Sequence, residues 1–211
     1  MSDKYLTKIT AASLLGDGGV YIPSDGSKNA HFILRQVTDH VDYTLWVKER
    51  HDMLTKTRLQ VFQPKVTNLM KNPREATTLI TRTHPFYTKF RERMYPNGHK
   101  VVDPHYLTLV DYEFLAMWYQ EDGTLVNTPD PKVSDSYVRI EVYLYSLNFS
   151  YADNKLLSTA IYEKTGLHWN VQRHHSKGNI YYKLYLARKD IPTFMSGIEP
   201  FVQPSFRYKL V

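Results

Sequence analysis

The sequence contains no cysteine, which excludes disulfide bonds, cysteine-ligated zinc and thiol nucleophiles. It also lacks any run close to the ~18 apolar residues of a membrane span, and its first residues lack the layout of a signal peptide. We therefore expect an intracellular protein, in the cytoplasm or an organelle matrix, with no membrane partner. A phosphate-binding glycine loop is missing too, so we expect no nucleotide cofactor.

Apolar residues are plentiful enough for a folded protein. Hydrophobic residues make up 42% of the 211 residues and aromatic residues 14%. These fractions exclude a disordered tail or a solvating linker. At roughly 150 residues per domain, the length corresponds to one large domain, two small ones or a fused pair of similar halves.

Positive charge is concentrated in the first half of the chain. Residues 1–105 contain 16 Lys and Arg against 10 Asp and Glu, whereas residues 106–211 contain 11 of each, so the first half accounts for the whole net charge of +6. This balance favours a polyanionic partner. Charge alone fits a basic protein without such a partner equally well.

Two similar segments indicate an internal duplication. Residues 10–18 (TAASLLGDG) and 115–123 (LAMWYQEDG) are both apolar, helix-like runs that end in Asp-Gly. Asp17 and Asp122 lie 105 residues apart, which is half the chain. We therefore predict two related halves, residues 1–105 and 106–211.

Hydrophobic periodicity predicts the same order of elements in each half: helix, two strands, helix, two strands, helix. The fold class is α/β (α+β), with two pseudo-symmetric αββαββα halves. In the first half the pattern predicts strands at 20–23, 31–38, 57–66 and 76–82, and helices at 42–55 and 85–94. In the second half it predicts a strand at 138–145, a helix at 150–165 ended by Gly166, a hairpin of 168–174 and 179–187, and a helix at 189–198.

Polar side chains alternate with apolar ones along these strands. Arg, Lys, Gln, Asn and Glu on one sheet face supply the donors and acceptors that distinguish base pairs in a DNA major groove. The predicted DNA contacts are Arg35, Arg58, Gln60, Lys65, Arg82, Arg139, Glu141, Tyr143, His168, Asn170, Gln172, Lys177, Tyr181 and Lys183. A half-exposed antiparallel sheet with no DNA partner would show the same alternation, so the pattern leaves both interpretations open.

The two Asp-Gly ends suggest a metal site. A carboxylate at the C-terminal end of a helix faces the negative end of the helix dipole, an unfavourable placement unless a cation is present. Asp17 and Asp122, with the carbonyls of Gly16 and Glu121, would form an all-oxygen site suited to Mg²⁺. A single Asp-Gly is usually only a turn. Two such pairs, each ending an apolar helix, favour a metal centre that hydrolyses phosphodiesters.

The two motifs resemble those of the LAGLIDADG homing endonucleases of the single-chain, two-motif type. The resemblance spans nearly the whole chain, including residues 98–104 (GHKVVDP) and 207–210 (RYKL). Departures from the consensus, such as Met117 in place of glycine, concern helix packing and leave both aspartates in place.

The resemblance implies a monomer that cuts both strands of a long double-stranded DNA target. Saddle-shaped antiparallel sheets would lie over the DNA, and the motif helices would pair at the interface between the halves. Asp17 and Asp122 would be catalytic metal ligands, and Lys100 and Lys209 the active-site lysines. Each lysine follows its aspartate at similar spacing, by 83 and 87 residues. Mg²⁺ would support cleavage, Mn²⁺ would substitute for it, and Ca²⁺ would support binding without efficient cleavage.

Two alternatives of other classes stay open. One is an RNA maturase, an intron-splicing factor of the same fold, and the other is a catalytically silent DNA-binding regulator. A zinc site built on His168, His174 and His175 is disfavoured because the sequence has no cysteine and no HExxH spacing.

Overall fold

The computed structural model describes residues 3–24, 26–63, 74–129, 138–176 and 178–210. The chain divides into two compact units. The first runs to His99 and also includes Gln203–Phe206, while the second comprises Lys100–Val202 and the residues from Arg207 onward. The predicted limit between residues 105 and 106 concerns the duplicated sequence, and it stays a prediction.

The first unit contains a four-stranded antiparallel sheet with the strand order β1-β2-β4-β3. Its elements are α1 (Asp3–Leu15), β1 (Gly19–Tyr21), β2 (His31–Val37), α2 (Val41–Asp52), β3 (Thr57–Phe62), β4 (Ala76–Thr81) and α3 (Pro85–Met94).

The second unit repeats this arrangement with the strand order β5-β6-β8-β7. Its elements are α4 (Pro104–Leu107), α5 (Tyr112–Asp122), β5 (Gly123–Pro129), β6 (Val138–Leu144), α6 (Tyr151–Thr165), β7 (Trp169–Ser176), β8 (Asn179–Leu186) and α7 (Ile191–Ile198). Apart from the short α4, both units follow the predicted order αββαββα, so the predicted fold class is confirmed.

Local sequence sets the limits of α6. The Ser150 hydroxyl accepts a hydrogen bond from the Asp153 amide, and the Asp153 carboxylate accepts one from the Ser150 amide. At the other end Gly166 adopts a left-handed conformation with φ 73° and donates to the Tyr162 carbonyl. The reciprocal cap at Ser150 and the C-cap at Gly166 satisfy backbone groups at the helix ends that have no partner within the helix. The helix ends at Gly166, as the sequence predicts.

One side of each sheet faces the helices and forms the apolar core. Phe32 and Leu34 of β2 are fully buried in the first unit, as are Val142 and Leu184 in the second. Burying each such side chain contributes about 1.5 to 3 kcal/mol, which fixes the side of the strand that faces inward. The opposite side of each sheet therefore carries the alternating polar residues.

Strand β5 follows α5 without a linker, and the sequence analysis did not locate it. β3 ends at Phe62, so Gln63 lies beyond the strand, and residues 64–66 of the predicted continuation lie outside the described residues. Within the described part of the chain, no helix has both the length and the apolar character needed to cross a membrane.

Candidate active site and nucleic-acid interface

The first motif ends in a tight turn that exposes the Asp17 side chain. The Ser13 carbonyl accepts a hydrogen bond from the Gly18 amide at 2.8 Å. A Cβ atom on Gly18 would lie 2.6 Å from Ser13 Oγ and 2.9 Å from the Phe32 ring, so the close approach of the chain here requires glycine. The turn therefore fixes the backbone on both sides of Asp17.

Gln36 holds the Asp17 carboxylate. Its Nε2 donates a hydrogen bond to Asp17 Oδ2 at 2.6 Å, and the residue is only 7% exposed on the helix-facing side of β2. This contact fixes one of the two carboxylate oxygens. No local sequence pattern indicates Gln36, because it lies 19 positions from Asp17 and the two residues meet only when β1 pairs with β2.

The second motif ends where a helix runs directly into a strand. Asp122 is the last residue of α5, it is half-buried, and its carbonyl accepts a hydrogen bond from the Tyr145 amide at 2.9 Å. A Cβ atom on Gly123 would lie 2.0 Å from the Tyr119 ring and 2.3 Å from the Tyr119 carbonyl oxygen. Glycine is thus required at this position as well, and it sets the direction in which the chain leaves Asp122.

Lys209 lies at the C-terminal end of α5. Its Nζ donates to the Gln120 carbonyl at 2.7 Å and to the Tyr119 carbonyl at 3.4 Å, and the Tyr119 hydroxyl donates to the Lys209 carbonyl at 2.8 Å. These carbonyls form the negative end of the helix dipole, where a cation is stabilised. Lys209 and Asp122 line the same cavity of about 390 Å³, with Glu121, Gly123, Thr124, Leu125, Tyr145 and Tyr208.

The other predicted active-site groups are distributed over both units. Lys100 is half-buried ahead of α4 and is the first residue of the second unit. Gly16 is buried in the turn after α1, and Glu121 is 9% exposed. The described residues contain no group of three or more His, Asp or Glu side chains that could bind a metal by themselves. The candidate ligands are all oxygen atoms, which suits Mg²⁺, and their role stays a prediction.

Strand register places the predicted contacts Arg35, Arg58 and Gln60 on one face of the first sheet. The face carries Tyr21, His31, Ile33, Arg35, Arg58, Gln60, Phe62, Thr78 and Ile80. The Arg35 guanidinium lies 5.2 Å from the centre of the Phe62 ring, and its Nε donates to the Thr78 hydroxyl at 3.1 Å. Lys65 lies outside the described residues.

A basic cleft lies at one end of this face. The cavity of about 570 Å³ is lined by Pro23, His31, Lys56, Thr57, Arg58, Ile80, Thr81, Arg82 and Thr83. Its lining contains three cationic side chains and no carboxylate, a composition suited to phosphate groups. The sequence predicts Arg58 and Arg82 as DNA contacts. It does not predict Lys56, which lies directly before β3 and outside the alternating residues of the strand.

Register also places most of the predicted second-half contacts on one face. These are Arg139, Glu141 and Tyr143 of β6, Asn170 and Gln172 of β7, and Tyr181 and Lys183 of β8. Arg139 Nε lies 3.6 Å from Glu141 Oε2, and the Tyr143 hydroxyl donates to the same carboxylate oxygen at 2.9 Å. Lys177 lies outside the described residues.

His168 is the other predicted contact of this half that lies within the described residues, and its role at DNA stays a prediction. It precedes β7, its Nδ1 lies 2.8 Å from Asp190 Oδ2, and its ring packs against Tyr162 of α6 at 4.8 Å. The Asp190 carboxylate also accepts from the His168 amide at 2.7 Å, and these bonds hold the pKa of Asp190 below its usual value although burial opposes the shift. These contacts hold the His168 ring beside Asp190 and Tyr162.

A model of the family described as the LAGLIDADG DNA endonuclease family matches residues 7–194. The chain belongs to this family. The match includes both Asp-Gly motifs and both sheets, so the resemblance stated from the motifs is confirmed.

Three curated relatives differ in what is known of them. MJ1098, an uncharacterized protein of Methanocaldococcus jannaschii, is 31% identical over 132 residues, which cover 63% of this chain and 47% of that protein. The cytochrome b mRNA maturase bI2 of Debaryomyces hansenii is 22% identical over 99% of this chain and 74% of its own length. A probable intron-encoded endonuclease 1 of Wickerhamomyces canadensis is 23% identical over 98% and 85%, respectively.

Solved structures share the fold. The homing endonuclease I-WcaI bound to its DNA recognition sequence superposes with a TM-score of 0.80 at 18% identity, covering 99% of this chain and 87% of that one. I-DmoI in complex with DNA and Mn gives a TM-score of 0.50 at 14% identity, covering 92% and 97%. The two-unit architecture is therefore that of the homing endonucleases.

Proposed function

We propose that this protein is a site-specific endonuclease that uses divalent cations to cut both strands of a long DNA target. The observation that carries the proposal is the chemistry at the ends of α1 and α5. The first motif has Asp17 in the turn two residues after α1, and the second has Asp122 as the last residue of α5. Each aspartate has a nitrogen donor beside it or in its cavity: Gln36 at Asp17 and Lys209 at Asp122.

Asp17 and Asp122 each serve one DNA strand. The Gln36 amide fixes one oxygen of Asp17 and so orients the carboxylate. The ammonium of Lys209 is held by the carbonyls at the end of α5, in the cavity that Asp122 lines. A cation held in this way stabilises negative charge that develops on a phosphate without having to reorganise. Lys100 is proposed for the equivalent role in the first half.

The donor set fits a hard divalent cation. In the first unit the Asp17 carboxylate and the Gly16 carbonyl, and in the second the Asp122 carboxylate and the Glu121 carbonyl, would supply oxygen ligands to Mg²⁺ or Mn²⁺. When bound, such a cation would polarise the phosphate and make a coordinated water more acidic. The related I-DmoI has been studied with DNA together with Mn or Ca, which supports this choice of ion.

The two sheet faces divide DNA recognition. The basic cleft of the first unit supplies cations to the phosphate backbone. The polar face of the second unit, where residues 106–211 have no net charge, supplies donors and acceptors to base edges. We propose an intracellular location, in keeping with the relative named as intron-encoded.

The test is cleavage of a target selected from a randomised double-stranded DNA library in Mg²⁺. We expect wild-type protein to produce double-strand breaks, and Asp17→Asn or Asp122→Asn to cut at least a hundredfold more slowly. Binding should persist or tighten, because each change removes a negative charge near DNA phosphates. Ca²⁺ should support binding with little cutting, because its looser coordination orients ligands less strictly.

Three results would each contradict the proposal. Equal cleavage by both asparagine variants would reduce the aspartates to turn residues. Binding to DNA without any cleavage in Mg²⁺ or Mn²⁺ would support a silent regulator. Binding to intron RNA and promotion of its splicing, with no cleavage of DNA, would support a maturase.

A further inference from the structure

A lysine and a glutamate, Lys183 and Glu141, contact the same tyrosine, Tyr143, near the centre of the polar face of the second unit. β6 and β8 are the two central strands of the sheet. Lys183 Nζ of β8 lies 3.6 Å from the centre of the Tyr143 ring and 5.1 Å from the centre of the Tyr145 ring. A cation held over two aromatic faces keeps few of its side-chain conformations, so Lys183 is already positioned before any ligand binds.

Glu141 is fixed by two neighbours. Its Oε2 accepts a hydrogen bond from the Tyr143 hydroxyl at 2.9 Å and lies 3.6 Å from Arg139 Nε. Burial and the bond to Glu141 raise the pKa of Tyr143 to about 12, so the hydroxyl stays a donor at neutral pH. Burial lowers the pKa of Lys183, and the charge of Glu141 opposes that shift. A fixed acceptor and a fixed donor therefore contact the same Tyr143 side chain.

This combination suits base edges better than phosphates. A carboxylate repels the DNA backbone, and Lys183 lies near the middle of the sheet instead of on its rim. In the major groove, guanine presents the acceptors O6 and N7, and cytosine presents the N4 amine donor. A neighbouring ammonium and carboxylate match these three groups across one base pair.

We propose that Lys183 and Glu141 form a subsite for one G·C base pair, in which Lys183 donates to guanine O6 or N7 and Glu141 accepts from cytosine N4. The subsite rests on the proposed function, since it assumes that this face binds duplex DNA. An A·T pair fits less well. With Lys183 at adenine N7 and Glu141 at adenine N6, the thymine O4 and methyl group would lack a partner.

The test is binding in Ca²⁺, without cleavage, to duplexes in which each position of the selected target is varied in turn. We expect wild-type protein to prefer G·C at one position by about 5- to 150-fold, the range of a good base contact. Lys183→Met should abolish the preference at that position alone, and Lys183→Arg should retain it. Lys189→Met, which removes an exposed lysine outside this face, is the matched control.

Variants on the carboxylate side test the other half of the pair. Glu141→Gln should reduce discrimination for cytosine, because an amide offers both a donor and an acceptor. Tyr143→Phe keeps the ring beneath Lys183 but removes the hydroxyl from Glu141, so it should weaken only the same discrimination. Thermal denaturation and circular dichroism check that each variant folds.

The outcomes separate this subsite from the proposed function. A Lys183→Met variant that folds and keeps the wild-type profile at every position overturns the subsite alone. A profile in which Lys183→Met changes an A·T preference also overturns it. Failure of wild-type protein to bind any duplex with sequence preference overturns the proposed function together with the subsite.

Discussion

At the scale of single residues, the two motif aspartates differ in the groups that surround them. Asp17 is exposed and bonded to a buried amide, whereas Asp122 is half-buried and lines a cavity with an ammonium group. The two motifs thus orient their aspartate carboxylates by different means. Substitutions near each aspartate should therefore affect the two DNA strands unequally.

Gln36→Met removes the amide that holds Asp17 while keeping the length of the side chain. A hydrogen bond to a charged group is worth about 1.5 to 3 kcal/mol, so we expect cleavage of one strand to slow by about 10- to 150-fold. Nicked product should accumulate in a plasmid assay that resolves nicked from linear DNA. Gln36 would act as a positioning residue, through its hydrogen bond to the Asp17 carboxylate.

Thr77→Val is the matched control for Gln36, because Thr77 is the cross-strand partner of Gln36 and is also buried. It changes packing beneath the sheet without touching the Asp17 contact. Equal nicking by both variants would attribute the effect to packing, which would contradict a positioning role for Gln36.

At the scale of elements, a buried histidine joins a helix pair to the first sheet. His51 of α2 is fully buried, stacks on Phe32 at 4.6 Å, and its Nδ1 lies 2.8 Å from the Tyr87 hydroxyl of α3. Burial lowers the pKa of His51 to about 3. The folded protein therefore keeps this ring neutral where the unfolded chain protonates it.

His51 should make the protein less stable in mild acid. Below pH ~6.5 the unfolded state binds a proton that the folded state does not, so the free energy of unfolding falls by about 1.4 kcal/mol per pH unit from this group. The stability is fully present above pH ~6.5 and is lost as the pH falls toward the folded pKa. Urea denaturation at pH 7.5 and 5.5 measures the difference.

His51→Gln should remove this part of the pH dependence, although it lowers stability at pH 7.5 by disturbing the packing. His99→Gln, the same change at an exposed position, is the matched control. A wild-type protein as stable at pH 5.5 as at pH 7.5 would show that His51 is not held neutral.

Local signals account for what the sequence predicts of these elements. Alternation along β6 and the caps of α6 involve residues close in sequence, so their pattern is visible before folding. β5 was not predicted because the adjacent residues Leu125 and Val126 are both apolar, so apolar and polar residues do not alternate there. Pairing with β6 decides its conformation. The Gln36–Asp17 and His168–Asp190 contacts join residues that are distant in the sequence, so no local sequence pattern indicates them.

At the scale of the whole molecule, recognition and charge are divided between the halves of the sequence. All of the net charge belongs to residues 1–105, and three of its cations line one cleft with no carboxylate. The second half has no net charge, and its polar face combines Glu141 with the cations Arg139 and Lys183, neutral donors and aromatic rings. We therefore expect the first half to supply affinity that depends on salt, and the second half to supply discrimination between bases.

The dependence of DNA affinity on salt tests this division. Each phosphate contact contributes about 0.9 to the slope of log affinity against log salt concentration, because binding releases a condensed counterion. Lys56→Gln and Arg58→Gln should each weaken binding and reduce the slope by about 1, with similar effects on all sequences. Lys164→Gln, on the exposed side of α6, should leave the slope unchanged.

Fluorescence anisotropy in Ca²⁺ measures these slopes. Between about 50 and 200 mM salt, an affinity that depends on phosphate contacts changes strongly. A shallow wild-type slope would mean that the excess charge does not touch DNA. A loss of slope at Lys164 equal to that at Lys56 would mean that affinity follows total charge and not the cleft. Only a loss confined to the cleft residues supports a phosphate site there, because the substitutions change net charge by the same amount.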